Sequence, residues 1–287
     1  MLIPFQWIGL FATVVVWVVM FALGLMLGRE QIAAAMQRRV VLAAVLFAVV
    51  VPVPALSVLA VKAFGITGPV AAGIVLMAVS PGAPVALRRA LDAGGDRGFA
   101  PALHLAIVAL AVVTVPLSVA ILDWIFAKDF VVTPLHIARQ IFLAQLLPMA
   151  IGASLRAFVP ALASRIEGRL VRVGNVLLAV MGLMVLVDLP ALLAAVGYVP
   201  IVAGIAMTLC ALATGAAFAW RDPSVRPAAA IAAAMRNPGL ALVIATVNRA
   251  PPDVTAAVIG YALGLAVTIV GYLQWRKRAA TARSEVA

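Results

Sequence analysis

The chain has 287 residues, of which 66% are hydrophobic and only 11% charged, whereas a soluble domain carries about a quarter charged residues. With a mean hydropathy of +1.19, this composition excludes a water-soluble globular enzyme and a disordered chain, and leaves an all-α polytopic membrane protein. The net charge of +11 points to loop charge at a membrane surface and not to a nucleic-acid partner, because of where the basic residues fall.

Nine spans can be drawn at about the 20 residues a bilayer requires: 6–28, 39–61, 66–93, 99–126, 134–156, 169–188, 199–220, 225–249 and 254–275. The first opens on Met1-Leu2-Ile3-Pro4-Phe5-Gln6-Trp7, without a basic n-region or a small-residue cleavage site, and reads as a membrane helix and not a signal peptide. It holds Gly24-x-x-x-Gly28, a signal for close helix packing. With the N-terminus outside, all but five of the 21 basic residues fall in cytoplasmic segments. The exceptions are Lys62, Lys128 and Arg249 in outer loops, and Arg139 and Arg236 within spans. This bias sets the orientation, with the C-terminus inside. The expected organisation is a single membrane domain over 1–287 with a disordered tail over 276–287. The expected location is a bacterial inner membrane, with the lipid bilayer as a partner and the oligomeric state open.

The third and eighth spans are irregular. The third contains Ser80-Pro81-Gly82-Ala83-Pro84, and the stretch before it, 66–80, reaches only about 22 Å as a helix. That falls short of a hydrocarbon core of about 30 Å, so the break lies inside the membrane. The eighth contains Met235-Arg236-Asn237-Pro238-Gly239. Proline removes a backbone donor and glycine loosens the helix. An arginine there costs roughly 2.5–3.5 kcal/mol at the bilayer centre. The two broken spans lie five apart and run in opposite directions, which predicts an inverted repeat with two discontinuous helices crossing at the transport site. Repeat one covers about 6–126 and lacks its first helix; repeat two covers about 134–275.

Arg236 lies ten residues beyond Arg226, about 15 Å deep. Few acids can pair with it: Asp188 ends the sixth span, and Asp92 and Asp96 lie near the inner surface. It is read either as a substrate ligand or as a fixed counter-charge. Pro81, Gly82, Asn237, Pro238 and Gly239 complete the candidate transport site. His104, one turn into the fourth span, is a weaker candidate and the midspan group that titrates near neutral pH. His136 and Arg139 share a face at the start of the fifth span, where snorkelling accounts for the arginine. Arg88, Arg89, Asp92 and Asp96 form either a solvated inner face or the cytoplasmic exit. Cys210 is the single cysteine, so no intramolecular disulfide forms. No H-E-x-x-H, G-x-S-x-G, Walker loop or metal-ligating cluster occurs, so neither an enzyme nor a metal or other cofactor is expected.

Several stretches read together. Met20-Phe21-Ala22-Leu23-Gly24-Leu25 is followed by a helix running from Val40 to Pro54, then by Ser80-Pro81-Gly82-Ala83. Gln145-Leu146-Leu147-Pro148-Met149-Ala150-Ile151-Gly152 and Met235-Arg236-Asn237-Pro238-Gly239-Leu240-Ala241-Leu242 complete the series. In this order they resemble the bile acid:sodium symporter family, with its pattern M-F-x-M-G-L, P-G-G-x-x-S-N, P-x-x-x-G and E-x-G-M-Q-N-S-G-L-A. The resemblance covers about residues 16–270. It implies a core and a panel domain, and transport of an organic anion, typically with sodium, by alternating access. It also places the family's sodium ligands on Ala86, Leu87, Ala100, His104 and Ala232, on Arg236 where the family has Gln, and on a Gln position near Phe47. Apart from His104 and Arg236 these matches carry no polar side chain. Sodium, a hard cation, prefers several oxygens, and a permanent guanidinium stands among them. The expectation is therefore an organic-anion transporter in which sodium coupling is replaced by the charge of Arg236. The alternatives are a transport-inactive binding or sensor protein on the same fold, and a carrier of the auxin-efflux or arsenite type.

Overall fold

A computed structural model describes residues 5–125, 134–187, 190, 194, 196–248 and 250–286. Lys128, Asp188, Arg249 and the side chain of His136 lie outside the described residues. Every regular element among those described is helical: α1 (Phe5–Leu25), α2 (Arg29–Gln37), α3 (Arg39–Val50), α4 (Pro52–Ala63), α5 (Gly68–Ala78), α6 (Ala86–Asp92) and α7 (Phe99–Ile125). There follow α8 (Pro134–Ile141), a π-turn (Phe142–Leu146), α9 (Leu147–Phe158), α10 (Pro160–Val187), α11 (Val199–Phe218), α12 (Arg226–Ala234), α13 (Pro238–Val247) and α14 (Pro252–Val286).

Among the described residues, five helical stretches are long and apolar enough to cross a membrane: 39–63, 99–122, 137–158, 199–218 and 252–281. A sixth crossing results if α1 is counted with α2, which leaves it at 79°. The broken pairs α5/α6 and α12/α13 do not reach that length singly, being 11, 7, 9 and 10 residues long.

Two stretches differ from expectation. The segment after the first span, expected as a connector, is the helix α2. Its polar start Arg29-Glu30-Gln31 cannot continue α1 into hydrocarbon, and the Gly28 N–H donates to Gln31 Oε1 at 2.8 Å. Ile32 and Met36, one turn apart, are both exposed on it, the habit of a helix lying in a membrane interface. The tail from 276, expected to be disordered, continues α14 to Val286; Arg276 anchors its start by donating from Nε to Ala93 O at 3.0 Å.

The helices sort into two bundles. In one, α1 packs along α9 and α10. Here Gly24 is indispensable: a Cβ on it would fall 2.1 Å from Met149 O, and one on Gly152 would fall 2.3 Å from Phe21 O. The expected G-x-x-x-G pair is thus split. Gly24 meets a glycine of another helix, while Gly28 starts α2. The second bundle is built from α3/α4, α5/α6, α7, α11, α12/α13 and α14, with α11 against α12 and α14, and α14 against α5.

At one end, Arg38 stitches three segments of this second bundle. It contacts Asp96 at 2.9 Å and Asp222 at 3.4 Å. Asp96 also caps α7, accepting from Phe99 N at 2.7 Å and Gly98 N at 2.8 Å. Burial pushes the Asp96 carboxyl up, but the Arg38 and backbone donors outweigh it and hold it below its ordinary value. The Ser224 hydroxyl does the same for Asp222, against partial burial and with help from the Ser224 N–H and Arg38.

Two outcomes follow from this packing. Gly24→Leu places a branched side chain where a carbonyl already sits. Overpacking of this kind costs roughly 1–3 kcal/mol, so the thermal midpoint of the purified protein should fall by several degrees. Gly182→Ala, with nothing within 4 Å, should leave it unchanged. The two aspartates have folded-state pKa values below the ordinary 3.8. Their contribution is therefore full above that value and is lost as pH falls through the lowered pKa. A midpoint-versus-pH series should be flat from pH 7 to 5 in this respect and decline below about pH 4, and Arg38→Gln should shrink the decline while lowering the midpoint at pH 7.

Candidate functional site

Each break follows from its own sequence. At the end of α12, Met235 turns extended (φ −74°, ψ 98°), as does Asn237 (φ −99°, ψ 93°). Pro238 has no N–H to give and disfavours helical backbone at the residue before it, while its fixed φ suits the first turn of α13. Asn237 caps that helix, its Oδ1 accepting from Leu240 N at 3.0 Å. In the other break, Ser80 folds its hydroxyl back to Leu76 O at 2.7 Å, and Gly82 takes φ +78°. A side chain on Gly82 would be strained, and its Cβ would fall 3.1 Å from Val108 Cγ2 on α7.

The two breaks meet. Pro81 and Arg236 form an isolated antiparallel bridge. The Asn237 N–H donates to Ser80 O at 2.7 Å, and its Nδ2 donates to Gly82 O at 3.3 Å. Backbone groups freed by one interruption are satisfied by the other, a condition that a bilayer imposes on any non-helical segment.

Arg236 is 1% exposed and points into the second bundle. Nη1 and Nη2 both donate to Val49 O at 3.2 Å, and Nη2 donates to Ala233 O at 2.8 Å. Val49 lies in the last turn of α3 and Ala233 in the last turn of α12, where helix carbonyls carry partial negative charge. Among the described residues no carboxylate lies within salt-bridge distance of it.

Two cavities flank the break, and Arg236 lines neither. The larger, about 300 Å³, lies between the bundles and reaches from Pro84 and Val85 past Val19, Leu23 and Met26 of α1 to α10. Its polar lining is Arg88, Asp92, Glu167 and Asn175. The smaller, about 30 Å³, lies on the other side between α1, α8, the π-turn and α13, lined by Gln140, Gln145, Asn237 and Gly239 among others. That is room for a few water molecules at most. Gln145 is 2% exposed, and the Oε1 atoms of Gln140 and Gln145 have no hydrogen-bond partner.

Of the sequence candidates, Pro81, Gly82, Arg236 and Asn237 come together; Pro238 and Gly239 open the adjoining helix, and Gly239 faces the small cavity. His104 is buried with Nε2 unpartnered. It stands one turn before Val108, the neighbour of Gly82, and lines neither cavity. Ala86, Leu87, Ala100 and Ala232 are buried and offer no side-chain oxygen. Phe47 does not face the break: it is 52% exposed and its ring lies 5.9 Å from that of Phe218. What α3 contributes at this point is the Val49 carbonyl. Sequence reasoning passed over the amide pair. Residues five apart face about 140° apart on a regular α-helix, and only the π-turn, a form common at functional sites, turns Gln140 and Gln145 to one cavity. Two amides within an apolar span were the available signal.

A family model described as the sodium bile acid symporter family matches residues 13–198, about two thirds of the chain. The match includes the first break and ends before the second, which is tied to it by the Pro81–Arg236 bridge. A comparison with curated proteins gave no match.

Arg236→Gln removes the donors of Val49 O and Ala233 O together, at about 1–3 kcal/mol for each buried group left without its partner. The ligand-free protein should lose several degrees of thermal midpoint. Arg236→Lys, whose ammonium is not a planar fork, should recover only part of it. An unchanged midpoint would remove the structural role.

Proposed function

The chain belongs to the sodium bile acid symporter family, and on that premise we propose that it carries an organic anion across the membrane by alternating access, without sodium as the coupling ion. The observation that carries this reading is the pairing of two broken helices between a sizeable cavity on one side and a small one on the other. A crossing point with unequal cavities on its two sides is what a carrier needs in one of its two end states. On this reading the chain makes nine crossings as two inverted repeats, with the broken pairs α5/α6 and α12/α13 and the long α10 completing the count. The N-terminus is outside and the state is inward-facing. The placement in a bacterial inner membrane rests on the charge bias alone.

At Ala86, Leu87, Ala100 and Ala232 the matching positions offer no ligand, and the one cation the neighbourhood needs is covalently present in Arg236. A second cation 5 Å from it would be repelled by about 3 kcal/mol at an effective dielectric of 20, with no carboxylate among the described residues within salt-bridge distance of Arg236 to offset that. The guanidinium does for two helix ends what a bound ion would otherwise do. The rival is a binding or sensor protein on the same fold, supported by the same loss of ligands.

In vesicles containing the purified protein, uptake of a panel of organic acids should proceed at equal rates in sodium and in choline media. Stimulation by an inward sodium gradient would overturn the proposal. Saturable binding without flux would favour the sensor. Should uptake follow a proton gradient, His104 is the group proposed to carry it, and His104→Gln should abolish the pH dependence.

A further inference from the structure

The inner cavity has a simple charge balance. Its four polar side chains are Arg88, Asp92, Glu167 and Asn175. Asp92 is taken by Arg89, whose Nη1 lies 3.2 Å from Oδ2. Glu167 is taken by Arg156, which also donates to Ser164 Oγ at 2.8 Å and to the Leu25 carbonyl. Both acids are thus neutralised by arginines that do not line the cavity. Arg88 has no acidic partner among the described residues. It is the cavity's single uncompensated charge, three residues beyond Val85 on the helix that leaves the first break. The remaining wall is apolar, with Leu23 and Met26 on one side and Val171 and Leu178 on the other.

Resting on the transport reading above, we propose that Arg88, and not Arg236, is the anion ligand of this cavity, and that the cargo is a small amphipathic monoanion. A carboxylate or sulfonate head pairs with the Arg88 guanidinium, which matches its two oxygens with a fork of donors. Asn175 offers a neutral amide across the cavity, and a short apolar body lies against α1 and α10. A second negative charge would meet Asp92 and Glu167 with no free cation left. Size restricts the cargo as well. About 300 Å³ is at the low end for ligand sites, which favours a short acid such as an eight-carbon one over a steroid.

The test uses octanoate, octanesulfonate, neutral octanamide, the dianion suberate and cholate on the full chain. Binding is read as the thermal-midpoint shift of purified protein, and uptake is measured in vesicles. Octanoate and octanesulfonate should raise the midpoint and compete for one uptake; octanamide, suberate and cholate should do neither. Arg88→Gln should raise KM for octanoate at least tenfold with little change in the ligand-free midpoint, Arg88→Lys should recover part, and the exposed control Arg97→Gln should behave as wild type. An unchanged KM and shift in Arg88→Gln, or cholate handled as well as octanoate, would overturn the proposal. Octanoate binding lost in Arg88→Gln, in a protein that moves nothing, would uphold this site and overturn the transport reading instead.

Discussion

The structure depends on one short backbone bridge, between Pro81 and Arg236. A helix interrupted inside a membrane leaves carbonyls and N–H groups with no water to receive them. Here each interruption is stabilised by the other, through the Asn237 N–H on Ser80 O and the Asn237 amide on Gly82 O. The prolines make the breaks obligatory. Gly82, at a positive φ and against α7, makes the close approach feasible. Arg236 then adds a positive charge where two helices end, α3 and α12, and so neutralises the partial charges that their last turns present. The two breaks and the proline-ended helix are therefore one unit, and none of its three parts is satisfied alone.

Around this unit the two bundles differ in how they are held. The bundle of α1, α9 and α10 is fastened by glycine contacts that bring backbones together, while the other is stitched at its charged end by Arg38 and by Arg276. The interface between them contains the large cavity on one side of the bridge and the small one on the other. Arg156 binds within its own bundle, through Leu25 and Glu167, and the Pro81–Arg236 bridge lies within the other.

The all-helical class and the apolar spans could be read from composition, length and hydropathy, because a bilayer leaves so few options. The breaks were legible from proline and glycine in runs too apolar to be loops. Their meeting could be expected only from the opposed direction of the two spans. Other features depend on geometry that no local pattern encodes. The helical conformation of 29–37 was hidden by its polarity, which reads as a loop when only spans are sought. The π-turn has no sequence rule, so nothing in the sequence brings Gln140 and Gln145 to one cavity. The partner of Arg236 is illegible for a different reason: the groups that hold the guanidinium are not carboxylates but carbonyls, which every residue has.

This last point bears on what drives the protein. A mobile ion that binds between two broken helices can link its own gradient to movement of cargo, because it arrives from one side and leaves to the other. A guanidinium fixed to Arg236 stabilises the same helix ends in every state and never leaves. It can supply the structural part of an ion's role but transmits no free energy from a gradient, since a ligand shifts a conformational equilibrium only through a difference in affinity between states. On the proposed reading, the replacement of ligands by Ala86, Leu87, Ala100 and Ala232 and the acquisition of Arg236 are a single change. The first without the second would leave two helix C-termini facing each other without a cation; the second without the first would place two cations in one site. Together they yield a carrier whose direction is set by the anion itself and by whatever charge moves with it.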